Sequence, residues 1–277
     1  MTPHQRDFTS RDVAERLAAT LDVTLGPVLP ALWHWAFFPD AVPARLLGRD
    51  GHRAADQLIK IDPGLPARMW AGGRVMFHRA LGLDAELARE SRVMEIKDRE
   101  GRSGRLRFVK LHHSIFAGDE LAIEEEQDLV YRAPDAPRAT AGIAPPAPPR
   151  AHLRTITPDE ILLFRFSAIT FNAHRIHYDR PYATSVERYP GLVVHGPLQA
   201  ILLAGHLAAA CPGAVIRHFA YRGQNPAFVN QDLHLEAWHD EDDPRIWHLQ
   251  TRDPEGAICM SAQATLHPDS SCTKKTA

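Results

Sequence analysis

"TFNAHRIHYDRPYA", residues 170–183, packs two histidines, an asparagine, an aspartate and two arginines into one short segment. An apolar run, "ILLFRFSA" (161–168), leads into it, and "PLQAILLAGHLAAAC" (197–211) follows closely. In the first run Leu162, Phe164, Phe166 and Ala168 recur at period two, which predicts a strand. The second run is apolar nearly all round, carries Pro197 in its first turn and stops at "CPG". That pattern predicts a buried helix. The polar segment is thus a loop that delivers its side chains to the entrance of a buried helix.

Working outward, "VIRHFAYRG", "QDLHLEAWHD", "RIWHLQTRD" and "AICMSAQATLH" alternate as strands between turn-forming breaks such as "DEDDP" and "DPEG". The predicted order is strand, long loop, buried helix and about four antiparallel strands, the hot-dog arrangement. The first half repeats the strand-rich end of this order in "GRVMFHRAL", "LARESRVMEIKDREG", "GRLRFVKLHHSIF" and "LAIEEEQDLVYRA". Its helix is harder to find, because "DQLIKIDPGLPARMW" carries two prolines and holds at most a short or broken one. A further helix is expected near the N-terminus, with Ser10 or Asp12 as its cap and Val13, Leu17 and Leu21 on one face.

Residues 133–150, "APDAPRATAGIAPPAPPR", lack any hydrophobic period and suit an extended connector. The expected organisation is therefore a first hot-dog unit over 1–132, a linker over 133–150, a second unit over 151–268 and a disordered tail over 269–277. The class is α+β: a double hot-dog, two antiparallel sheets each wrapped on a helix, the first helix degenerate.

The chain has 277 residues and a formal net charge of −2, which offers no electrostatic reason to bind nucleic acid. Its longest apolar run is shorter than the ~20 residues a bilayer requires, and its N-terminus lacks a signal-like apolar core. Three cysteines without repeated spacing suit a reducing compartment. A cytoplasmic protein with no membrane partner is expected.

His174 and His177, with His195 downstream, suggest a metal site by spacing alone. Arg175 beside them would oppose a cation, and no metal or other cofactor is expected. Acid/base chemistry fits the parts better. A near-neutral imidazole moves a proton to and from water. A helix N-terminus opening on Gly196 presents backbone N–H groups to an oxyanion.

The segment resembles the MaoC-type enoyl-CoA hydratase motif, written roughly Gly-Asp-x-Asn-Pro-x-His-x-Asp and followed by His-Gly at the start of the hot-dog helix. His177 and Asp179 hold the His-x-Asp positions, and "GLVVHG" (191–196) holds the helix entry. The family's catalytic aspartate is replaced by Asn172, and its Asn-Pro by His174-Arg175. An amide cannot accept a proton as a carboxylate does, so the resemblance leaves His177 as the base and Asn172 to hold the water. "TFNAHRIHYD", with "LWHWAFF" (32–38), "LPARMWAGGRVMF" (65–77) and "EEEQDLVYR" (124–132), is similar to one branch of that superfamily. It comprises the mesaconyl-C4-CoA and itaconyl-CoA hydratases and the type-2 hydroxyacyl-thioester dehydratases.

The resemblance implies reversible hydration of an α,β-unsaturated acyl-CoA, with a short branched dicarboxylic acyl group. A carrier-protein 3-hydroxyacyl dehydratase and a non-catalytic acyl-thioester-binding subunit are the alternatives. His177, Asn172 and Gly196 are the expected catalytic residues. Arg175, Asp179, His195, Arg222, Trp70 and Gly72 are the expected substrate-binding residues, with Arg175, Arg222 or Arg74 as reader of a second carboxylate. A homodimer or higher homo-oligomer is expected.

Overall fold

The computed structural model describes residues 4–54, 58, 59, 62, 64, 65, 67–101, 104–133 and 142–270. The chain opens with strand β1 (His4–Phe8) and helix α1 (Arg11–Leu21). Four long strands follow: β2 (Ala67–Phe77), β3 (Glu86–Gly101), β4 (Gly104–Ala117) and β5 (Glu120–Arg132). The second half repeats the order with β6 (His152–Ile156), α2 (Glu160–Ile169), α3 (Gly196–Ala210), β7 (Ile216–Gly223), β8 (Leu233–His239), β9 (Ile246–Arg252) and β10 (Ile258–Leu266).

The strands form one antiparallel sheet in the order β1-β3-β4-β5-β2-β7-β10-β9-β8-β6. Read from the β2–β7 seam outward, the two halves match element for element. β2 answers β7, β5 answers β10, β4 answers β9, β3 answers β8 and β1 answers β6. α1 and α2 are likewise equivalent and pack on each other. Only α3 lacks a counterpart: between α1 and β2 the described residues hold 3-10 turns at Trp33–Ala36 and Ala44–Leu46. This is the double hot-dog with a degenerate first helix, its halves continuous through one seam.

The long strands follow their alternation. Along β4 the side chains of Val109, Leu111, His113 and Ile115 are buried in turn. α3 is buried nearly all round, as its composition requires, and packs on β8, β9 and β10. Its one buried amide, Gln199, accepts a hydrogen bond from Thr251 Oγ1 at 2.7 Å. No helix among the described residues is long and apolar enough to cross a membrane.

One expectation is overturned. "ILLFRFSA" is a helix, α2, not a strand; the strand lies just before it, as β6. Asp159 caps α2, its Oδ1 accepting the N–H of Leu162 at 2.8 Å. Leu163 and Phe166, three apart, are buried while Phe164 is 66% exposed, so the burial period is helical. At α1 Ser10 occupies the N-cap but makes no side-chain capping bond.

Of the expected connector, 134–141 lie outside the described residues. Beyond them Ile143 bridges Ala257, and the carbonyl of Ala144 accepts from Arg252 at 3.0 Å. In the expected tail, Ser270 Oγ accepts the N–H of Val215 at 3.1 Å, while 271–277 lie outside the described residues.

Candidate active site

The loop after α2 is held by its own polar groups. The N–H of Asn172 donates to the carbonyl of Ser167 at 2.8 Å. Asn172 Oδ1 accepts the N–H of His174 at 3.0 Å, an Asx turn that starts the 3-10 turn Arg175–His177. The loop is then stitched to the segment entering α3. Val193 N–H donates to Ile176 O at 3.0 Å, and His177 Nδ1 donates to Val193 O at 2.7 Å.

The bond to Val193 fixes the imidazole chemistry. A carbonyl only accepts, so Nδ1 carries the proton and the neutral ring presents a bare Nε2. Burial lowers the pKa of His177 from 6.5 to about 4, the backbone bond offsetting part of the shift. The ring is therefore neutral at pH 7. Its face stacks on His195 with ring centroids 3.6 Å apart. His195 is fully buried, holds Ser167 Oγ at 2.8 Å through Nε2, and leaves Nδ1 without a partner among the described residues. Burial pushes its pKa well down.

Gly196 begins α3, and no side chain caps this end. Pro197 has no N–H, so the first donors of the helix belong to Gly196 and Leu198. A Cβ on Gly196 would lie 2.7 Å from Cε3 of Trp70, so glycine here lets the indole close on the helix entry. Trp70 stacks on Tyr221 at 4.4 Å between centroids and meets Trp35 edge-on at 5.3 Å.

Asn172, His177, Gly196, Trp70 and Arg222 line one cavity of about 1330 Å³ between the two halves. The remaining expected residues are placed elsewhere. Arg175 and Asp179 do not line the cavity. They pair with each other at 2.6 Å, with the Arg175 guanidinium over the Tyr182 ring and Asp179 accepting the N–H of Tyr182. Arg175 is thus committed as a structural cation, and Arg74 faces Glu126. His195 lies behind His177 instead of in the wall. Gly72 is a seam residue: a Cβ there would lie 2.6 Å from the carbonyl oxygen of Tyr221.

Besides Trp70, the first half supplies His52 and Arg68 to the cavity, neither of which the sequence pattern singles out. Gly51, at φ 92°, brings its loop against Ala173, and Arg175 N–H donates to Asp50 O at 2.8 Å. This seats the His52 ring 4.3 Å from that of His174. One ligand atom each of Asp50, His52 and His174 lie within 4.8 Å of one another. Arg68, from the start of β2, lines the same cavity. The local signal in "GRDG" (48–51) marked a turn; nothing in it pointed to residues more than 100 positions away.

Solved structures share this architecture. HtdX of Mycobacterium tuberculosis superposes with a TM-score of 0.68 at 19% identity, covering 95% of this chain and 99% of that one. A MaoC-like dehydratase from Phytophthora capsici gives 0.71 at 12% identity, covering 97% and 96%. The fold is that of the MaoC-like dehydratases. The hydroxyacyl-thioester dehydratase type 2 family matches residues 32–229. Mesaconyl-C(4)-CoA hydratase of Chloroflexus aurantiacus is 45% identical over 90% of this chain and 89% of its own length. The mitochondrial hydroxyacyl-thioester dehydratase type 2 of Schizosaccharomyces pombe is 30% identical over 83% and 88%. The chain belongs to the hydroxyacyl-thioester dehydratase type 2 family.

Proposed function

We propose that this protein is a hydro-lyase that reversibly adds water across the double bond of an α,β-unsaturated acyl-CoA, and that its acyl group is a short branched dicarboxylic one, as in mesaconyl-C4-CoA. One observation carries the reaction type: a neutral imidazole of fixed tautomer and an uncapped helix N-terminus line the same cavity. The 45% identity to mesaconyl-C(4)-CoA hydratase supports the substrate class.

In this mechanism water sits between His177 Nε2 and Asn172. Nε2 takes a proton as the water oxygen bonds to the β-carbon, and the π electrons move to the thioester oxygen as an enolate. The N–H groups at the start of α3 hold that oxygen. The imidazolium then returns its proton to the α-carbon, so one water is consumed and the base is regenerated. The Asn172 amide nitrogen has no hydrogen-bond partner among the described residues, which suits it to grip the water. We assign the chemistry to the second half and substrate accommodation to the first, which supplies Trp70, His52 and Arg68 to the cavity wall.

Purified protein incubated with mesaconyl-C4-CoA, itaconyl-CoA and crotonyl-CoA tests the reading through loss of enoyl absorbance. Turnover of at least one is expected. Inertness toward all three overturns it.

A further inference from the structure

We infer that Arg68 reads the free carboxylate of the acyl group, beside the His52–His174 pair. The inference deepens the hydro-lyase reading above and rests on it. The cavity wall is cationic: it includes Arg53, Arg68, Arg89, Arg132 and Arg222, and Asp40 is its one carboxylate among the described residues. Asp40 is paired with Arg53, so the wall carries a positive excess suited to an anionic ligand. Arg89 is engaged by Gln5 and Arg132 is buried. The side chains of Arg68 and Arg222 make no hydrogen bond or ion pair among the described residues. Arg222 is exposed on β7, whereas Arg68 is half-buried.

The chemistry of the substrate selects between them. In a mesaconyl-C4 thioester the free carboxylate is bonded to the β-carbon, the atom that receives water. Its reader must stand close to the base. The positive charge of Arg68 acts on both His52 and His174, lowering the pKa of each below its ordinary value after burial has done the larger part. The His174 ring lies 5.4 Å from that of His177. Arg68 is thus the unpaired guanidinium on the side of the cavity where the carboxylate must lie, and its planar fork matches a carboxylate in two-point contact. Neither the His52 nor the His174 ring has a hydrogen-bond partner among the described residues, so both retain a ring N–H for the same anion.

A cation is the competing occupant, since Asp50, His52 and His174 converge. Asp50 does not line the cavity, its Oδ1 accepts the N–H of His52 at 3.0 Å, and Arg68 repels a metal from the two imidazoles. These features favour the anion.

The test compares fumaryl-CoA with crotonyl-CoA, which differ only in a carboxylate or a methyl on the β-carbon. Arg68→Met should lower the ratio of kcat/KM for the diacid over the neutral substrate by roughly 10- to 100-fold, mostly through KM. Arg68→Lys should recover part of it, keeping charge without the fork. An unchanged ratio in Arg68→Met overturns the proposal. A second measurement needs no variant: succinyl-CoA should inhibit or bind the unaltered protein at least about tenfold more tightly than butyryl-CoA. Equal binding also overturns it, as does turnover abolished by chelation and restored by zinc. If no enoyl thioester is turned over, the hydro-lyase reading fails, while the same succinyl-CoA and butyryl-CoA binding comparison repeated on Arg68→Met still decides the role of Arg68: loss of the preference supports it and an unchanged preference overturns it.

Discussion

His177 donates its Nδ1 proton to the carbonyl oxygen of Val193 at 2.7 Å. That bond leaves Nε2 as the only lone pair of the ring, and burial holds the pKa at about 4. Hydration should therefore show little loss of kcat/KM between pH 8 and 5, with the acid limb centred well below 6.5. A pH–rate profile taken after brief exposure at each pH checks this. An acid limb at 6.5 or above would contradict it.

Stability should carry the opposite face of the same burial. The pKa values of His177 and His113 are each lowered to about 4, burial being the largest cause. Above pH 6.5 both folded and unfolded forms are neutral at these sites, and the protein keeps the full contribution. As pH falls from 6.5 toward 4 the unfolded chain takes up protons that the folded one refuses, and stability declines. Thermal melts across that window should show a steady fall in Tm; replacing His113 by Gln should flatten it. A Tm independent of pH there would count against these rings being held neutral.

Asn172→Asp separates turn from chemistry. The aspartate keeps an Oδ1 for the N–H of His174, so the Asx turn survives, but it replaces the amide donor by a negative charge near His177. A nearby carboxylate favours imidazolium. The acid limb of the rate profile should move up by about one unit or more. If the limb stays where it was, Asn172 does not face the reacting groups.

Gly196→Ala should be costly because its Cβ has no room beside Trp70. Overpacking of this kind destabilises by about 1–3 kcal/mol, and a displaced indole also disturbs the helix entry, so turnover should fall as well. Adding Trp70→Leu should return much of the stability, a non-additivity that urea unfolding reads directly. Simple addition of the two losses would deny the contact.

Asp159→Ala should cost about 1 kcal/mol through loss of the α2 cap. Since Asp159 Oδ1 accepts the N–H of Leu162, Asp159→Ser should recover most of it. Urea unfolding measures both.

The long strands were legible because alternation survives wherever one sheet face is buried, as along β4 and β10. α2 was not. Its apolar residues are nearly continuous, and Leu162, Phe164, Phe166 and Ala168 satisfy a period of two by accident of composition. Burial of Leu163 with Phe166, which separates helix from strand, exists only once α1 and the rest of the core are in place. In the cavity wall, Asn172 and His177 come from one segment and bond within it or to the segment entering α3, which keeps them readable locally, whereas Gly196 meets Trp70 from the other half. Arg175 misled, since its partner Asp179 sits one helical turn away and takes the charge the substrate was expected to meet. His52 and Arg68 reach the cavity only through the fold of the other half.

The central claim is that His177 is the base. The direct measurement is kcat of His177→Ala on the best enoyl-CoA substrate, alongside its Tm and the Kd of a saturated acyl-CoA. The account predicts a loss of about 10³-fold in kcat, within the range of general-base catalysis, with Kd changed less than about threefold, well under the tenfold that 1.4 kcal/mol represents. A folded variant that keeps kcat within about tenfold of the parent, short of the hundredfold least expected of a lost general base, would contradict it.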